Sequence, residues 1–223
     1  MAKGRIGLWL IGAKGGVATT VMTGLTALAR GLVEPIGLIT ETEAFHSLNL
    51  IDWGDVVIGG HDIRNASLLD EARRMWTVSR AIPPGVLEAV APDLIDIETR
   101  LRPGTVLASG TSIQAIASLP ESKSAKTPRS IIDQIRTDIL DFAETNDVER
   151  VVVVNLASTE PPWSLPIPDN FDEISSLLEN ASESSPLPTS SLYAIAAFEA
   201  NAAYINFRRY DSKNHGSKHY NRH

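Results

Sequence analysis

The chain has 223 residues, 43% of them hydrophobic, and none is cysteine; a chain of this length buries roughly 70% of its unfolded surface in one domain. The lack of cysteine excludes a disulfide framework, a thiolate zinc site and a cysteine nucleophile, and it fits a cytoplasmic protein. The net charge of −7 argues against a nucleic-acid partner, and the apolar run 6–13 is too short to cross a membrane.

The positive charge is concentrated at the carboxyl terminus. Residues 208–223 carry a net charge of +4 and contain no Ala, Val, Leu, Ile or Met, which leaves −11 for residues 1–207. Such a segment has no apolar face to bury, so we predict one domain, 1–207, followed by a disordered basic tail. The tail histidines His215, His219 and His223 lie four residues apart, but the Gly and Asn among them disfavour a helix, so no metal site is predicted.

The amino-terminal half alternates predicted strands and helices. Residues 5–11 form an apolar run that predicts a buried strand, and small and apolar residues recur at helical spacing over 16–30. Residues 36–40 and 55–60 predict two further strands. Residues 65–80 predict a helix with one apolar face.

The carboxyl-terminal half continues this alternation around four consecutive valines, 151–154. A strand that is apolar on both faces is typical of a parallel sheet covered by helices on both sides. The other predicted elements are a strand at 105–109, a short helix to about 118, a helix from 131, a helix at 171–180, a helix at 189–201 capped by Thr189 or Ser190, and a strand at 203–207. The sequence therefore predicts a doubly wound, mostly parallel α/β sheet.

The stretch LIGAKGGVATTV, residues 10–21, has features of two kinds of nucleotide-binding loop. In an ATP-binding phosphate loop, a Gly-Lys-Ser/Thr end places a lysine on the terminal phosphates and a hydroxyl on magnesium. Here Ala18 precedes Thr19, and Lys14 lies at the start of the loop, on the wrong side for that role. The sequence disfavours an ATPase.

A dinucleotide site needs only a strand, a tight glycine turn and a helix whose first free amides face a diphosphate. Gly12 ends the strand, and Gly15 and Gly16 allow the backbone to approach a ligand. The small side chain of Ala18 allows the helix to pack closely on the sheet. The spacing Gly-x-x-Gly-Gly differs from the usual Gly-x-Gly-x-x-Gly, so an ordinary glycine turn stays open as the alternative.

Two polar segments directly follow other predicted strands. They are GGHDIR, residues 59–64, and NLASTE, residues 155–160. Ligands of open α/β sheets bind beyond the carboxyl ends of the strands. Three strand ends are therefore predicted to converge on one ligand.

Four stretches together resemble the myo-inositol-1-phosphate synthase family, more closely its prokaryotic branch. They are GLWLIGAKGGVATTV, DVVIGGHDIRNASLLDEA, RVVVVNLASTEPP and PTSSLYAIAAFEANAAYINF, and the likeness covers most of residues 5–207. The resemblance implies a Rossmann-type domain that binds NAD and packs on a second, catalytic lobe, in a family of homotetramers.

The chemistry that this resemblance implies is conversion of glucose 6-phosphate to 1L-myo-inositol 1-phosphate. NAD takes a hydride from C5, the resulting ketone acidifies C6, an enolate closes on the aldehyde, and the hydride is returned. The protein orients the nicotinamide, holds the substrate phosphate and stabilises the oxyanions. Another Rossmann oxidoreductase, and a non-catalytic NAD-binding module or degenerate paralogue, stay open as alternatives, and the residues do not separate NAD from NADP.

The resemblance also implies cofactor-binding residues at the three strand ends. The glycine loop would wrap the pyrophosphate, an acid would face the adenosine ribose, and the segment after the valine strand would line the cofactor. These residues are Gly12, Gly15, Gly16, Val17, Ala18 and Thr19 in the loop, Asp62 as the acid, and Ala157, Ser158 and Thr159 after the valines.

Some of these assignments have structural alternatives. Asp62 could instead cap a helix that starts near Asn65, and Ser158 with Thr159 could merely complete a turn before Pro161.

Three other residues near the predicted strand ends are weaker candidates. Glu41 also has the spacing of a ribose-binding acid, but the resemblance does not support it. His61 is expected to be a polar residue at a strand end and not a base. Lys14 is expected either to touch a phosphate or to be an exposed loop lysine.

The catalytic residues cannot be assigned. The resemblance ends after Phe207, and it implies a catalytic lobe with essential lysines that this sequence lacks. The lysines are Lys3, Lys14, Lys123, Lys126, Lys213 and Lys218, so none lies between 127 and 212. Proton transfer and oxyanion stabilisation in this reaction need cations at the reacting carbons. We therefore expect this chain alone to be inactive, as a truncated or frame-shifted product or as a short protein with a basic tail.

Overall fold

The structure, a computed structural model, describes residues 4–124 and 126–207. Its strands are β1 (Arg5–Ile11), β2 (Val56–Asp62), β3 (Leu101–Pro103), β4 (Val148–Asn155) and β5 (Ala203–Asn206). Its α-helices are α1 (Gly16–Ala29), α2 (Leu68–Ser79), α3 (Pro84–Thr99), α4 (Thr111–Ile116), α5 (Pro128–Thr145), α6 (Phe171–Asn180) and α7 (Thr189–Glu199). The tail predicted to be disordered, 208–223, lies outside the described residues.

The five strands form one parallel sheet in the order β3-β2-β1-β4-β5. The central strand is β1, where Leu8 pairs with Ile58 of β2 on one side and with Val152 of β4 on the other. The strand order reverses between β1 and β4, which is the switch point of a doubly wound sheet. The predicted fold class is confirmed.

Two hydrophobic cores lie on opposite faces of the sheet. Trp9 belongs to the core under α5 and α7, together with Val153 and Leu192. Its neighbour Leu10 belongs to the core under α1, α2 and α3, together with Leu68. Successive side chains of a strand point to opposite faces, so burial on both sides explains why β1 and β4 lack the polar alternation of a half-exposed strand.

The strand predicted at 36–40 is wrong. The segment is irregular, with one 3₁₀ turn at Ile39–Glu41. Ile36 is 89% exposed and Ile39 70% exposed, so their apolar side chains have no layer to cover them. Gly37 has φ +81°, which interrupts an extended strand.

The strand predicted at 105–109 is also wrong, because the third strand lies just before it, at Leu101–Pro103. Residues 105–109 form a loop in which Ala108 has φ +60°. Helix α3 was not among the predicted elements. It begins at Pro84, a favourable first helical residue, but it also contains Pro92, a residue that usually interrupts a helix.

Candidate functional site

The candidate site lies at the carboxyl edge of the sheet, where the glycine loop, the end of β2 and the segment after β4 meet. A cavity of about 180 Å³ opens there. Its lining includes Gly12, Gly15, Asp62, Ala157 and Ser158, which the resemblance implies as cofactor ligands. Three strand ends therefore do converge, as the sequence predicted.

The glycine loop turns sharply at Gly12, which has φ +77°. The amides of Gly12 and Ala13 both donate to the His61 carbonyl, at 2.9 and 3.0 Å, and the Gly15 amide donates back to the Gly12 carbonyl. A Cβ at position 12 would lie 2.9 Å from the Cα of Ala157. Glycine is required there by both its backbone angle and this close approach.

Helix α1 begins directly after the loop and its first turn is open to an anion. Gly15, at the N-cap, provides no side-chain cap, and the first turn contains no acidic residue. Among the described residues, the amides of Gly16, Val17 and Ala18 have no hydrogen-bond acceptor, whereas the Thr19 amide donates to Gly15. Three free amides at the positive end of a helix dipole form a site suited to phosphate oxygens.

The side chains of this turn differ in their surroundings. Val17 is exposed, while Ala18 and Thr19 are fully buried. The Thr19 hydroxyl has no hydrogen-bond partner in the described part of the chain. None of the three lines the cavity, and a Cβ on Gly16 would lie 2.9 Å from the Met75 sulfur, so this glycine allows α1 and α2 to approach.

Asp62 ends β2 and is 5% exposed. Its Oδ2 accepts the Lys14 amide at 2.7 Å, and its Oδ1 accepts the Arg64 amide at 2.9 Å. It does not cap the next helix, because α2 begins at Leu68 and its N-cap is Ser67. The alternative role of Asp62 as a helix cap is therefore wrong, and the residue ties the glycine loop to β2.

Lys14 adopts neither of the roles expected of it. Its side chain is only 12% exposed, and its ammonium donates to Glu98 Oε1 at 2.8 Å and to the Ala66 carbonyl. The other oxygen of Glu98 accepts the Leu68 amide at the start of α2, at 3.1 Å. The lysine holds the loop against α2 and α3 and is not directed at a ligand.

The segment after β4 is held through Asn155, which is buried. Its Oδ1 accepts the Ala157 amide at 3.1 Å, and its Nδ2 donates to Asn206 Oδ1 at 3.2 Å. Ser158 and Thr159 are exposed, and only Ser158 lines the cavity. Their hydroxyls make no hydrogen bond within the described residues, so a turn does not use them.

Glu160 closes this side of the site. Its carboxylate accepts the Ser190 amide at 2.8 Å and the Ser190 hydroxyl at 2.9 Å, and it thereby caps α7. The predicted N-caps are wrong, because Pro188 holds that position without a side-chain bond. The Thr189 hydroxyl donates instead to the Leu107 carbonyl.

The floor of the site contains a buried polar chain centred on His61. The Trp9 indole N–H donates to His61 Nδ1 at 3.0 Å, which leaves Nε2–H to donate to Asp138 at 3.0 Å. Both ring nitrogens are engaged, as expected of a structural residue and not a base. Tyr193 packs beside this ring, and its hydroxyl accepts the Thr105 amide at 3.2 Å. Burial raises the pKa of Tyr193 well above its ordinary value.

Several cavity residues were missed by the sequence analysis. They are Thr105, Ser109, Ile113, Ile116, Ser190 and Tyr193, whereas Ile63, Arg64, Asn155 and Glu160 lie within the predicted segments 59–64 and 155–160. A usable signal existed for Ser190, since the helix that leads into a parallel strand runs from the carboxyl edge of the sheet to the amino edge, so the first turn of the helix predicted before the 203–207 strand lies at the carboxyl edge. The strand predicted at 36–40, which gave Glu41 the spacing of a ribose-binding acid, does not exist. Glu41 lies instead in an exposed 3₁₀ turn and does not line the cavity.

The described ranges lack the features of a metal site and of a membrane span. No cluster of three or more His, Asp or Glu suited to a metal ion occurs there, and the tail histidines lie outside them. Within residues 4–124 and 126–207, no helix is long and apolar enough to span a bilayer.

Comparison with curated proteins finds inositol-3-phosphate synthases among the relatives of this chain. The inositol-3-phosphate synthase 1 of Bacteroides thetaiotaomicron is 30% identical over 92% of this chain and 48% of its own length. The inositol-3-phosphate synthase of Dictyostelium discoideum is 28% identical over 91% of this chain and 43% of its own length. The chain spans about half the length of the curated relatives it matches.

Solved structures show the same fold. The inositol-3-phosphate synthase of Caenorhabditis elegans matches 92% of this chain and 44% of its own, with a TM-score of 0.74 and 19% identity. A myo-inositol-1-phosphate synthase-related protein of Thermotoga maritima matches 93% and 49%, with a TM-score of 0.59 and 21% identity. An NAD-binding family model described as Myo-inositol-1-phosphate synthase matches residues 6–210, so NAD is the cofactor of this domain. The chain belongs to the myo-inositol-1-phosphate synthase family.

Proposed function

We propose that this chain is the NAD-binding part of an inositol-3-phosphate synthase and that it binds NAD through the glycine loop without turning over substrate alone. The observation that carries this proposal is the set of three amides at the start of α1 that have no acceptor among the described residues, beside a glycine turn at the switch point of the sheet. In the whole enzyme the substrate would be glucose 6-phosphate and the product myo-inositol 1-phosphate.

The residues present fit a dinucleotide. The amides of Gly16, Val17 and Ala18 would take the diphosphate, whose two negative charges the helix dipole favours. Gly12 and Gly15 keep the loop free of side chains on that approach. The buried Thr19 hydroxyl, which has no partner within the described ranges, adds a polar group to the same turn. The cavity is smaller than the roughly 300–1,000 Å³ of typical ligand pockets, so it would enclose only part of the cofactor.

The remaining implied ligands flank this turn. Asp62 lines the cavity beside the glycine loop, where its carboxylate suits a ribose hydroxyl. Ala157 supplies a small side chain against Gly12, and the hydroxyls of Ser158 and Thr159, which are unbonded in the part of the chain that the structure describes, would give hydrogen bonds farther along the cofactor. These roles come from the family resemblance, and the position of the residues at the carboxyl edge of the sheet, next to the glycine loop, supports them.

Catalysis would need groups that this chain does not bring to the site. NAD, when bound, supplies a hydride acceptor that also returns the hydride. Lys14 is held by Glu98, and Lys126 lines a separate depression with Glu121 and Asp138. No described lysine lines the cavity at the carboxyl edge, and the Arg64 that does is paired with Asp62 and Glu71, so the oxyanion and proton-transfer steps lack a lysine there.

Two measurements test the proposal together. Calorimetric titration should detect NAD binding, and an assay of glucose 6-phosphate conversion should detect no product from the same sample. The Gly12→Ala variant should lose most of the binding, because the added Cβ forces the loop away from Ala157. Absence of binding would overturn the NAD assignment, and product formation would overturn the assignment of inactivity.

The cellular role follows from the same family. We propose a cytoplasmic protein of inositol and phospholipid synthesis, with no nucleic acid or membrane among its partners. The family homotetramer is not proposed for this chain, because the resemblance places many subunit contacts in the other lobe.

A further inference from the structure

The layer of helices on one face of the sheet ends before it reaches β5. Leu10 of β1, Val154 of β4 and Ile205 of β5 form one row across the sheet, because each is the pairing partner of the next. Partners in neighbouring strands point to the same face, here the face under α1, α2 and α3. Leu10 is 1% exposed, Val154 is half-buried and Ile205 is 50% exposed. The apolar row is therefore uncovered at its β5 end.

The edge of the sheet at β5 is apolar on both faces. Ile205 and Phe207 lie on the first face, since side chains alternate along a strand, and Phe207 is 70% exposed. On the other face, the ring of Phe198 at the end of α7 meets the ring of Tyr204 edge-on, and Phe198 is 63% exposed. Residues 200–207 contain no charged residue and no proline.

The strand at the opposite edge of the sheet differs. β3 contains Arg102 and Pro103, and a charge and a proline on an edge strand oppose pairing with another chain. β5 has neither, and no strand in the described ranges pairs with its outer side. An exposed apolar edge of this kind marks an interaction surface.

The rest of the chain is poorly suited to cover this surface. Outside the described residues lie 1–3 and 125, which are too short, and 208–223, which has no Ala, Val, Leu, Ile or Met to place against an apolar edge. The distribution of charge favours a second copy. Residues 208–223 carry +4 and residues 1–207 carry −11, so in two copies that meet at β5 each basic segment starts beside the acidic body of the other copy.

We propose that two copies of this chain associate by antiparallel pairing of their β5 strands about a two-fold axis, which joins the two sheets edge to edge. An antiparallel strand pair is self-complementary, as a two-fold interface requires. The exposed stretch is 203–207, so the pairing is centred on Ile205 and sets Ala203 of each copy opposite Phe207 of the other. A small side chain thus faces a large one on the uncovered face. This association does not depend on NAD binding.

The pairing fixes the geometry at Ile205. The Phe207 amide donates to the Asn155 carbonyl at the end of β4, at 3.1 Å, so by alternation the backbone N–H and C=O of Ile205 also point to β4. On the outer side, the two Ile205 residues then form a non-hydrogen-bonded pair, in which the Cα atoms lie about 4.5 Å apart. A disulfide bond accepts Cα separations of roughly 4.4–6.8 Å. Because the chain has no cysteine, Ile205→Cys introduces the single thiol that reports this pairing.

The first test is cross-linking of the whole chain under mild oxidation. Ile205→Cys should give a disulfide-linked dimer on a non-reducing gel. Phe207→Cys is the control for register, because it lies opposite Ala203 of the other copy and should cross-link far more slowly. Ile36→Cys is the control for random collision, since that side chain is 89% exposed in an irregular segment. Equal cross-linking of the three variants would overturn the inference.

The second test is sedimentation equilibrium, in which the 24.1 kDa mass of the wild-type chain should double reversibly with concentration. Ile205→Lys should raise the dissociation constant of the dimer at least about tenfold, because two like charges would face each other across the strand pair. Ile36→Lys, the matched control, should leave that constant unchanged. If Ile205→Lys fails to fold in thermal unfolding, the cross-linking of Ile205→Cys still decides the question.

A different occupant of the edge would contradict the inference. A wild-type chain that stays monomeric at submillimolar concentration would overturn it. A monomer that forms a one-to-one complex with the carboxyl-terminal half of the Bacteroides thetaiotaomicron relative would also overturn it and would assign the edge to that partner. Either result would leave the proposed binding of NAD intact, because Ile205 and Phe207 do not line the cavity.

Discussion

The two loops that meet over the switch point are held in different ways. The glycine loop, 12–15, is fixed by backbone bonds to His61 and by the contacts of Lys14 with Asp62 and Glu98. The loop after β4 is held near its start, where Leu156 donates to Ile11, and again where Glu160 caps α7. Beyond that point it runs through residues 161–169 without a regular element.

This difference separates two functions of a dinucleotide site. A diphosphate needs amides that are already in place, because each ordering step during binding lowers affinity. The glycine loop meets that need through contacts that exist before any ligand binds. The loop after β4 has fewer restraints, so it is the part of the site that is free to adjust. We expect substitutions in the first loop to cost stability and affinity together, and those in the second to cost less.

The largest effect is expected from Gly12→Ala. The change combines a positive φ with a Cβ 2.9 Å from the Ala157 backbone, and it should destabilise the fold by about 3 kcal/mol. Gly37→Ala is the matched control, because its φ of +81° is similar but nothing lies within 4 Å of its Cβ. The control should cost only about 1 kcal/mol in urea unfolding. Equal losses of unfolding free energy in the two variants would show that the close contact between Gly12 and Ala157 does not contribute to the stability difference.

The next effect is expected from Lys14→Met. It removes the partner of a largely buried carboxylate, Glu98, and should cost about 2 kcal/mol, below the range for fully buried pairs. The affinity for NAD should fall as well, since the loop loses its attachment to α2 and α3. Arg73→Met breaks an exposed pair with Asp70 on α2 and should cost less than about 0.5 kcal/mol. If both variants unfold at the same urea concentration, the glycine loop is not held by this pair.

Whether an apolar run is covered by helices explains how much of the fold could be predicted from sequence. Strands β1, β2 and β4 were predicted because burial on both faces makes them continuous apolar runs. The run 36–40 is equally apolar but has no layer to cover it, and local composition does not carry that information. Strand β3 has three residues, one of them proline, so it gives almost no periodic signal.

The site was predictable only in part. Glycine spacing and the positions of strand ends located Gly12, Gly15, Asp62 and Ala157 at one edge, because parallel strands end together. The partners of these residues come from distant parts of the chain. Glu98 lies 84 residues beyond Lys14, and no local pattern indicates that they pair. Lys14, expected either to touch a phosphate or to be an exposed loop lysine, is therefore a structural residue whose side chain is only 12% exposed.

A smaller effect is expected in the second loop from Glu160→Ala. This change removes the carboxylate that caps α7 through Ser190 and should cost about 1 kcal/mol. Glu160→Gln keeps an acceptor oxygen and should recover about half of that loss. Glu173→Ala, which alters the cap of α6 outside the cavity, should leave NAD affinity unchanged, whereas Glu160→Ala should weaken it. Identical NAD affinities for the two alanine variants would remove Glu160 from the site.

The smallest effect concerns Tyr193, which packs against His61 on the floor of the site and accepts the Thr105 amide of the 105–109 loop. Burial raises the pKa of Tyr193 in the folded state above the value near 10 of the unfolded chain. Below pH 10 both states keep the proton, so the contribution is fully present; above it the unfolded state ionises first and stability falls as pH rises. At pH 10.5 the free energy of unfolding of wild type should have fallen by about 0.8 kcal/mol through this group.

Tyr193→Phe leaves the Thr105 amide without its acceptor and should be about 1 kcal/mol less stable than wild type at pH 8, yet nearly equal to it at pH 10.5. Urea unfolding at both pH values measures the difference. A gap that stays constant would mean that Tyr193 ionises as readily in the folded chain as in the unfolded one, and a wider gap would mean that it ionises more readily in the folded chain.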